Sequence, residues 1–183
     1  MNTLHATDLT LEPQMAAHAD EMFVVLSDPA IYAYENEPPA SVEWLRVRYA
    51  MLESRQSPDG RERWLNWVIR GADARLIGFI QATVHADGSA AIAYELGSAH
   101  WGRGLASRAT QAVIDELAAH FEVDSLFAVL KRENFRSLRL LERLGFAPAS
   151  AAFLAAHPVE PDELLMCRAG PKGAITRSTA EPR

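Results

Sequence analysis

The stretch YELGSAHWGRGLASRATQAV, Tyr94–Val113, decides the fold of this chain. Its first three residues close an alternating apolar run, its middle carries Gly97, Gly102 and Gly104, and its end repeats apolar residues at helical spacing. The stretch therefore reads as strand, glycine loop, helix. A helix N-terminus offers N–H groups without intrahelical partners and a partial positive charge of about half a unit, so phosphates bind there readily. Glycines let the backbone approach an anion without a Cβ in the way, and Arg103 adds a cation. This is chemistry for a pyrophosphate. The Walker pattern GxxxxGK[ST] is absent, and Ser107 stands where a dinucleotide fingerprint carries its third small residue.

Working outward, Trp64–Arg70, Leu76–Val84 and Ala90–Leu96 read as strands joined by turns at Gly71–Asp73 and Asp87–Gly88, which implies an antiparallel meander. Upstream, Thr7–Leu11 reads as a strand stopped by Pro13, Met15–Leu26 as a helix, and Val42 to about Ser54 as a helix capped by Ser41. A proline-punctuated loop around Tyr32, Tyr34, Glu35 and Glu37 separates the two helices. Downstream come a helix over Leu105–Phe121, a buried strand over Ser125–Leu130, and a helix over Phe135–Leu144 ended by Gly145. Phe146 opens a last strand region, paired with Glu163–Arg168. The expected fold class is α/β: a single domain over residues 1–169 with a mixed, mostly antiparallel sheet flanked by helices, then a polar tail over 170–183.

The chain has 183 residues and a net charge of -6, which disfavours nucleic acid as a partner because phosphate binding calls for a basic excess. Cys167 is the only cysteine, so no intrachain disulfide forms, in keeping with a reducing compartment. The N-terminus has no basic stretch followed by an apolar core, and no apolar run approaches the roughly 20 residues that span a bilayer. A cytoplasmic domain without membrane contact or metal is expected.

A second motif lies at RENFRSLRLLERLGF, Arg132–Phe146, where Asn134 stands as N-cap, Ser137 at the third helical position, and Gly145-Phe146 as helix stop plus core residue. Taken with Tyr94–Val113, this order resembles the GNAT acetyltransferases, and most closely the branch with the ribosomal-protein N-terminal acetyltransferases and many small-amine acetyltransferases. The resemblance runs from about Thr7 to Arg168. The superfamily's Q/R-x-x-G-x-G/A loop maps onto Trp101 to Ala106: Gly104 and Ala106 match, and Trp101 departs from the usual first residue.

The resemblance implies acetyl-coenzyme A as cofactor and a primary amine as acceptor, either a small molecule or a peptide N-terminus, with a homodimer as family habit. It implies a sheet splayed between the strand ending at Leu96 and the strand Ser125–Leu130. The pantetheine arm would hydrogen-bond the free edge of Ala93 to Leu96, Tyr94 and Leu96 included, with the pyrophosphate on Trp101, Gly102, Arg103, Gly104, Leu105 and Ala106. Asn134 and Ser137 would also meet the cofactor. An acetyl-CoA-binding sensor without transferase activity is the alternative.

Amine acetylation requires a deprotonated acceptor and N–H donors aimed at the developing oxyanion. Family analogy assigns the latter to a backbone amide near Leu96. Glu95, next to Leu96, leads as base, with His85, His100 or a water chain as alternatives and an outward-pointing strand glutamate as the plain reading. The position where some relatives carry a tyrosine acid is Leu141, which leaves Ser137 to contact the sulfur or merely to bond the helix start. Trp44, Trp64, Trp67, Tyr32 and Tyr34 either wall the acceptor pocket or pack as ordinary aromatics.

Overall fold

The structure is a computed structural model describing residues 1–34 and 37–170. One eight-stranded sheet runs through it in the order β1-β2-β3-β4-β5-β6-β8-β7. The meander forms as expected: β3 (Arg63–Gly71), β4 (Leu76–Val84) and β5 (Ser89–Leu96) pair antiparallel, with Asn66 opposite Gln81 and Gln81 opposite Ala93. The helix α3 (Leu105–His120) then carries the chain back to β6 (Ser125–Lys131), which lies parallel to β5. Next come α4 (Phe135–Arg143), β7 (Ala147–Pro148), α5 (Ala151–Ala156) and β8 (Glu163–Ala169), with β8 antiparallel to β6.

The N-terminal expectation needs correction. Thr7–Leu11 is not one strand but part of a hairpin of β1 (Leu4–Ala6) and β2 (Leu9–Pro13), reversed at Asp8, whose φ of 62° is left-handed. An aspartate tolerates that region better than most residues. Leu11 can then pair with Leu4 on one side and Ile69 on the other. The first helix is also shorter: α1 covers Ala19–Leu26, preceded by a 3-10 turn at Ala16–His18 in which the Met15 N–H donates to His18 Nδ1. The second helix, α2, is Val42–Leu52, capped as expected by Ser41, whose hydroxyl accepts from Trp44 N–H at 3.1 Å. The short α5, capped by Ser150, was not anticipated. Of the expected tail, Gly170 donates its N–H to Asp124 O at 2.8 Å, and residues 171–183 lie outside the described residues.

Strand alternation divides the core between the two sheet faces. Leu65, Trp67, Ile69, Ile80, Ile92 and Leu96 pack with α3 and α4. Val68, Leu76 and Phe79 pack with Met22, Leu26, Leu45 and Tyr49 from α1 and α2. Burying side chains such as Trp67 and Met22, both 0% exposed, stabilises by about 1.5–3 kcal/mol each. Asn66 and Gln81 share a face with Val68 and Phe79, so they turn toward α1 and α2. Among the described residues no helix is long and apolar enough to cross a membrane.

Candidate active site

Parallel pairing between β5 and β6 stops early. Only Ser89–Ala91 pair with Ser125–Phe127, and beyond them the strands diverge. Gly97 N–H donates to Ile77 O at 2.9 Å. By the alternation of an antiparallel ladder, odd-numbered β5 residues then bond to β4, and Ile92, Tyr94 and Leu96 turn their N–H and C=O toward the gap. A cleft of about 600 Å³ occupies this opening and runs out beneath α1 and α2.

At the top of the gap the glycine loop delivers the chain to α3. Gly102 (φ 73°) and Gly104 (φ 71°) are both left-handed, a conformation that costs other residues about 1–2 kcal/mol. Gly104 is the N-cap of α3, no side chain caps the helix, and its first turn holds no acidic residue. Its leading N–H groups are therefore open to an anion. The loop residues Gly102, Arg103 and Gly104 are exposed, and Leu105 is buried.

The side chain of Trp101 is committed to the framework. Its indole N–H donates to Leu96 O at 2.8 Å, tying the loop to the end of β5. The Arg136 guanidinium lies over its ring, 3.6 Å from the centroid. Arg136 comes from the first turn of α4 and lines the cleft, so it adds a cation beside the open gap. The sequence reading passed over it, although it sits inside the second motif. Asn134 caps α4, its Oδ1 accepting from Ser137 N–H at 3.1 Å, and both residues line the cleft. Asp28 joins the two halves of the site: it accepts from Ala30 N–H at 3.0 Å and from Ser98 N–H at 2.7 Å. Hydrogen bonds from the Ser98 hydroxyl and N–H hold its carboxyl below the usual carboxylate range.

Neighbouring β5 residues face opposite chemistry. Tyr94 points to the α3–α4 side and lines the cleft near Ser137; burial pushes its phenol up to about 12, opposed by the Ser137 hydroxyl. Tyr94 therefore keeps its proton at any ordinary pH. Glu95 turns to the other face, half-buried in the cleft wall. Tyr32 and Tyr49 stand near it. Burial first, and the Glu95 charge second, push Tyr32 up to about 12 and Tyr49 higher still.

Of the aromatic candidates, Tyr32, Tyr34 and Trp44 line the cleft, together with Glu37 from the loop between the two helices. Trp67 is buried on the α3 face with its indole N–H donating to Asn2 O, and Trp64 donates to Glu62. Glu35 lies outside the described residues. Neither histidine lines the cleft: His85 pairs with Glu62 at 3.2 Å and stacks on Phe127, and His100 sits in the short turn before Trp101. Among the described residues no group of three His, Cys, Asp or Glu is placed to hold a metal ion.

A sheet opened between parallel strands, beside an uncapped helix N-terminus fed by left-handed glycines, presents a free strand edge and open N–H groups of the kind on which phosphates are held. A family profile described as "Acetyltransferase (GNAT) domain" matches residues 8–147, and the chain belongs to that family of N-acetyltransferases. An uncharacterized N-acetyltransferase, p20, of Bacillus licheniformis is 31% identical over 149 residues, covering 80% of this chain and 83% of its own. Two solved structures share the fold. A ribosomal L7/L12 alpha-N-protein acetyltransferase in complex with coenzyme A has a TM-score of 0.76 at 16% identity, covering 93% of this chain and 99% of its own. A spermidine N-acetyltransferase from Vibrio cholerae in complex with coenzyme A and spermine has a TM-score of 0.73 at 21% identity, covering 92% and 99%.

Proposed function

We propose that this protein transfers the acetyl group of acetyl-coenzyme A directly to a primary amine, with the cofactor in the β5–β6 gap and the amine entering beneath α1 and α2. One observation carries the reading: a single cleft is lined both by the free end of β5, with Glu95 and Leu96, and by Trp101 and Ala106 at the start of α3. The residues present fit the cofactor. A pyrophosphate would rest on the N–H groups following Gly102 and Gly104, with Arg103 and Arg136 supplying charge. An extended pantetheine arm suits the strand edge of Ile92, Tyr94 and Leu96.

Bound acetyl-CoA supplies an activated acyl group, and the chain's residues manage protons and charge around it. Glu95 accepts the proton that the acceptor ammonium must lose before its nitrogen has a lone pair. The Leu96 N–H, turned into the gap, donates to the acyl oxygen as negative charge grows there. As the C–N bond forms and the C–S bond breaks, Tyr94, which lines the cleft near Ser137, donates a proton to the departing sulfur and regains one, through solvent, from the newly acylated nitrogen, so that the second proton of the amine is accounted for. Tyr94 thus fills the role left open by Leu141. Asn134 shapes the site by fixing the first turn of α4.

Thermal unfolding with acetyl-CoA, with NAD and ATP as controls, tests the proposal. A ligand that binds only the folded state stabilises by about 2.7 kcal/mol at 100-fold over Kd. A rise in Tm with acetyl-CoA alone, followed by thiol release with an amine panel, is the expected result. A rise without thiol release on any amine would leave a sensor module, and no rise would remove the cofactor assignment.

A further inference from the structure

Gln14, Asn66 and Tyr49 carry a second message in the cleft. All three line it, and all three are almost fully buried, at 2%, 4% and 4% exposure. Yet the Gln14 Nε2, the Asn66 Nδ2 and the Tyr49 hydroxyl, all on the α1–α2 side of the sheet, have no hydrogen-bond partner among the described residues; the Tyr94 hydroxyl, on the other face of β5, is likewise unpartnered. A buried polar group left unsatisfied costs about 1–3 kcal/mol, and three of them along one cleft point to a ligand that satisfies them together.

The sheet explains how they line up. Gln14 N–H donates to Asn66 O at 2.9 Å, Asn66 stands opposite Gln81, and Gln81 stands opposite Ala93. One transverse row, polar at Gln14, Asn66 and Gln81 and completed by Ala93 on β5, thus crosses the sheet on the face that also bears Glu95. Tyr49 hangs over it from α2, close enough to feel the Glu95 charge. The backbone of Gln14 is fully engaged, its carbonyl accepting from Arg55 Nη2, so the residue is held in place with its side chain free to serve the cleft.

We propose that Gln14, Asn66 and Tyr49 form a donor-lined subsite that binds amide carbonyl oxygens of the acceptor, so that the acceptor is a peptide-like amine rather than a polyamine. This rests on the reading of Glu95 as the amine end of the cleft. Asn66 stands two strand spacings and one i, i+2 step from Glu95, about 12 Å between Cα atoms. An extended peptide advances about 3.3 Å per residue, so its second or third carbonyl would meet the row. A polyamine would call instead for carboxylates along the cleft. Of the described lining residues only Glu37 and Glu95 are acidic, and Arg48 stands among them as a counter-charge.

The test compares three probes of similar length with the full chain: trialanine amide, 1-aminoheptane and spermidine. Each is titrated calorimetrically into the CoA-bound protein, and kcat/KM is read by thiol release. Trialanine amide should be favoured over 1-aminoheptane by about tenfold or more, the worth of one to two buried hydrogen bonds. Asn66→Asp, which exchanges a donor for an acceptor at constant shape, should lower binding of the tripeptide by about tenfold, raise that of spermidine, and leave the Kd of acetyl-CoA unchanged. Gln14→Glu should act in the same sense should Asn66→Asp fail to fold. Equal affinity of wild type for trialanine amide and 1-aminoheptane, or tighter binding of spermidine, overturns the subsite. Loss of acetyl-CoA binding alone would instead overturn the cofactor reading, since the titrations of acceptor binding do not depend on turnover.

Discussion

Replacing Trp101 by phenylalanine keeps an aromatic ring in the glycine loop but removes the indole N–H that donates to Leu96 O at 2.8 Å. Leu96 is 5% exposed, so water replaces the lost donor poorly. A net hydrogen bond is worth about 0.5–1.5 kcal/mol. Phenylalanine also weakens the Arg136 contact, now 3.6 Å from the ring centroid, by a fraction of the roughly 0.5–1 kcal/mol typical of such pairs at exposed sites. The expected destabilisation is about 1–2 kcal/mol, which in a domain of this size lowers Tm by roughly 3–6 °C. The tie positions both the end of β5 and the Arg136 cation, so the Kd of acetyl-CoA should rise by about tenfold, equivalent to roughly 1.4 kcal/mol. Calorimetric melting and isothermal titration read the two effects separately. An unchanged Tm together with an unchanged Kd would refute the claim that Trp101 locks the loop to the strand.

Other substitutions probe the remaining parts. Glu95→Gln should lower kcat/KM by about 10²–10⁴-fold without altering acetyl-CoA affinity, as expected for loss of a general base. Tyr94→Phe should reduce kcat by about 10²-fold, and Ser137→Ala by less, measured in steady-state assays with saturating acetyl-CoA. A Cβ at Gly78 would overlap Glu95 O and stand 2.8 Å from Leu96 Cα. Gly78→Ala should therefore cost about 1–3 kcal/mol by urea titration and impair turnover by displacing the end of β5 that carries Glu95 and Leu96. Glu12 accepts from Arg70 Nε at 2.7 Å, and this bond holds its carboxyl below the ordinary value of 4.5. A depressed folded-state value gives stability that is present above pH 4.5 and lost as pH falls through the folded value. Glu12→Gln should flatten that acid limb in denaturation midpoints measured from pH 7 down to about pH 3.

The sequence by itself determined what local chemistry controls. The meander, the glycine loop, α3 and α4 were legible because turn glycines, period-two and period-3.6 patterns and caps such as Ser41 and Asn134 act within a few residues. The left-handed Gly104 and the stop at Gly145, whose φ is 81°, belong to the same local class. The hairpin at Asp8 was not legible, since Leu4–Ala6 is a strand only by virtue of its pairing with β2.

The site divided along the same line. Glycine and motif spacing pointed to the cofactor loop, but register decided the rest. Whether Tyr94 or Glu95 faces the acceptor depends on which side of the sheet α1 and α2 cover. Asn66 lies as a polar residue inside the apolar run WLNWVIR, and the sequence reading gave it no role. Only cross-strand pairing brought it into one row with Gln14 and Gln81, and only the third dimension set Arg136, 35 positions beyond Trp101 in the chain, against its ring. The gap itself arises where β5 and β6 part after Ala91. Such divergence is a non-local property, fixed by how the helices on both faces pack, and no periodicity along the chain encodes it.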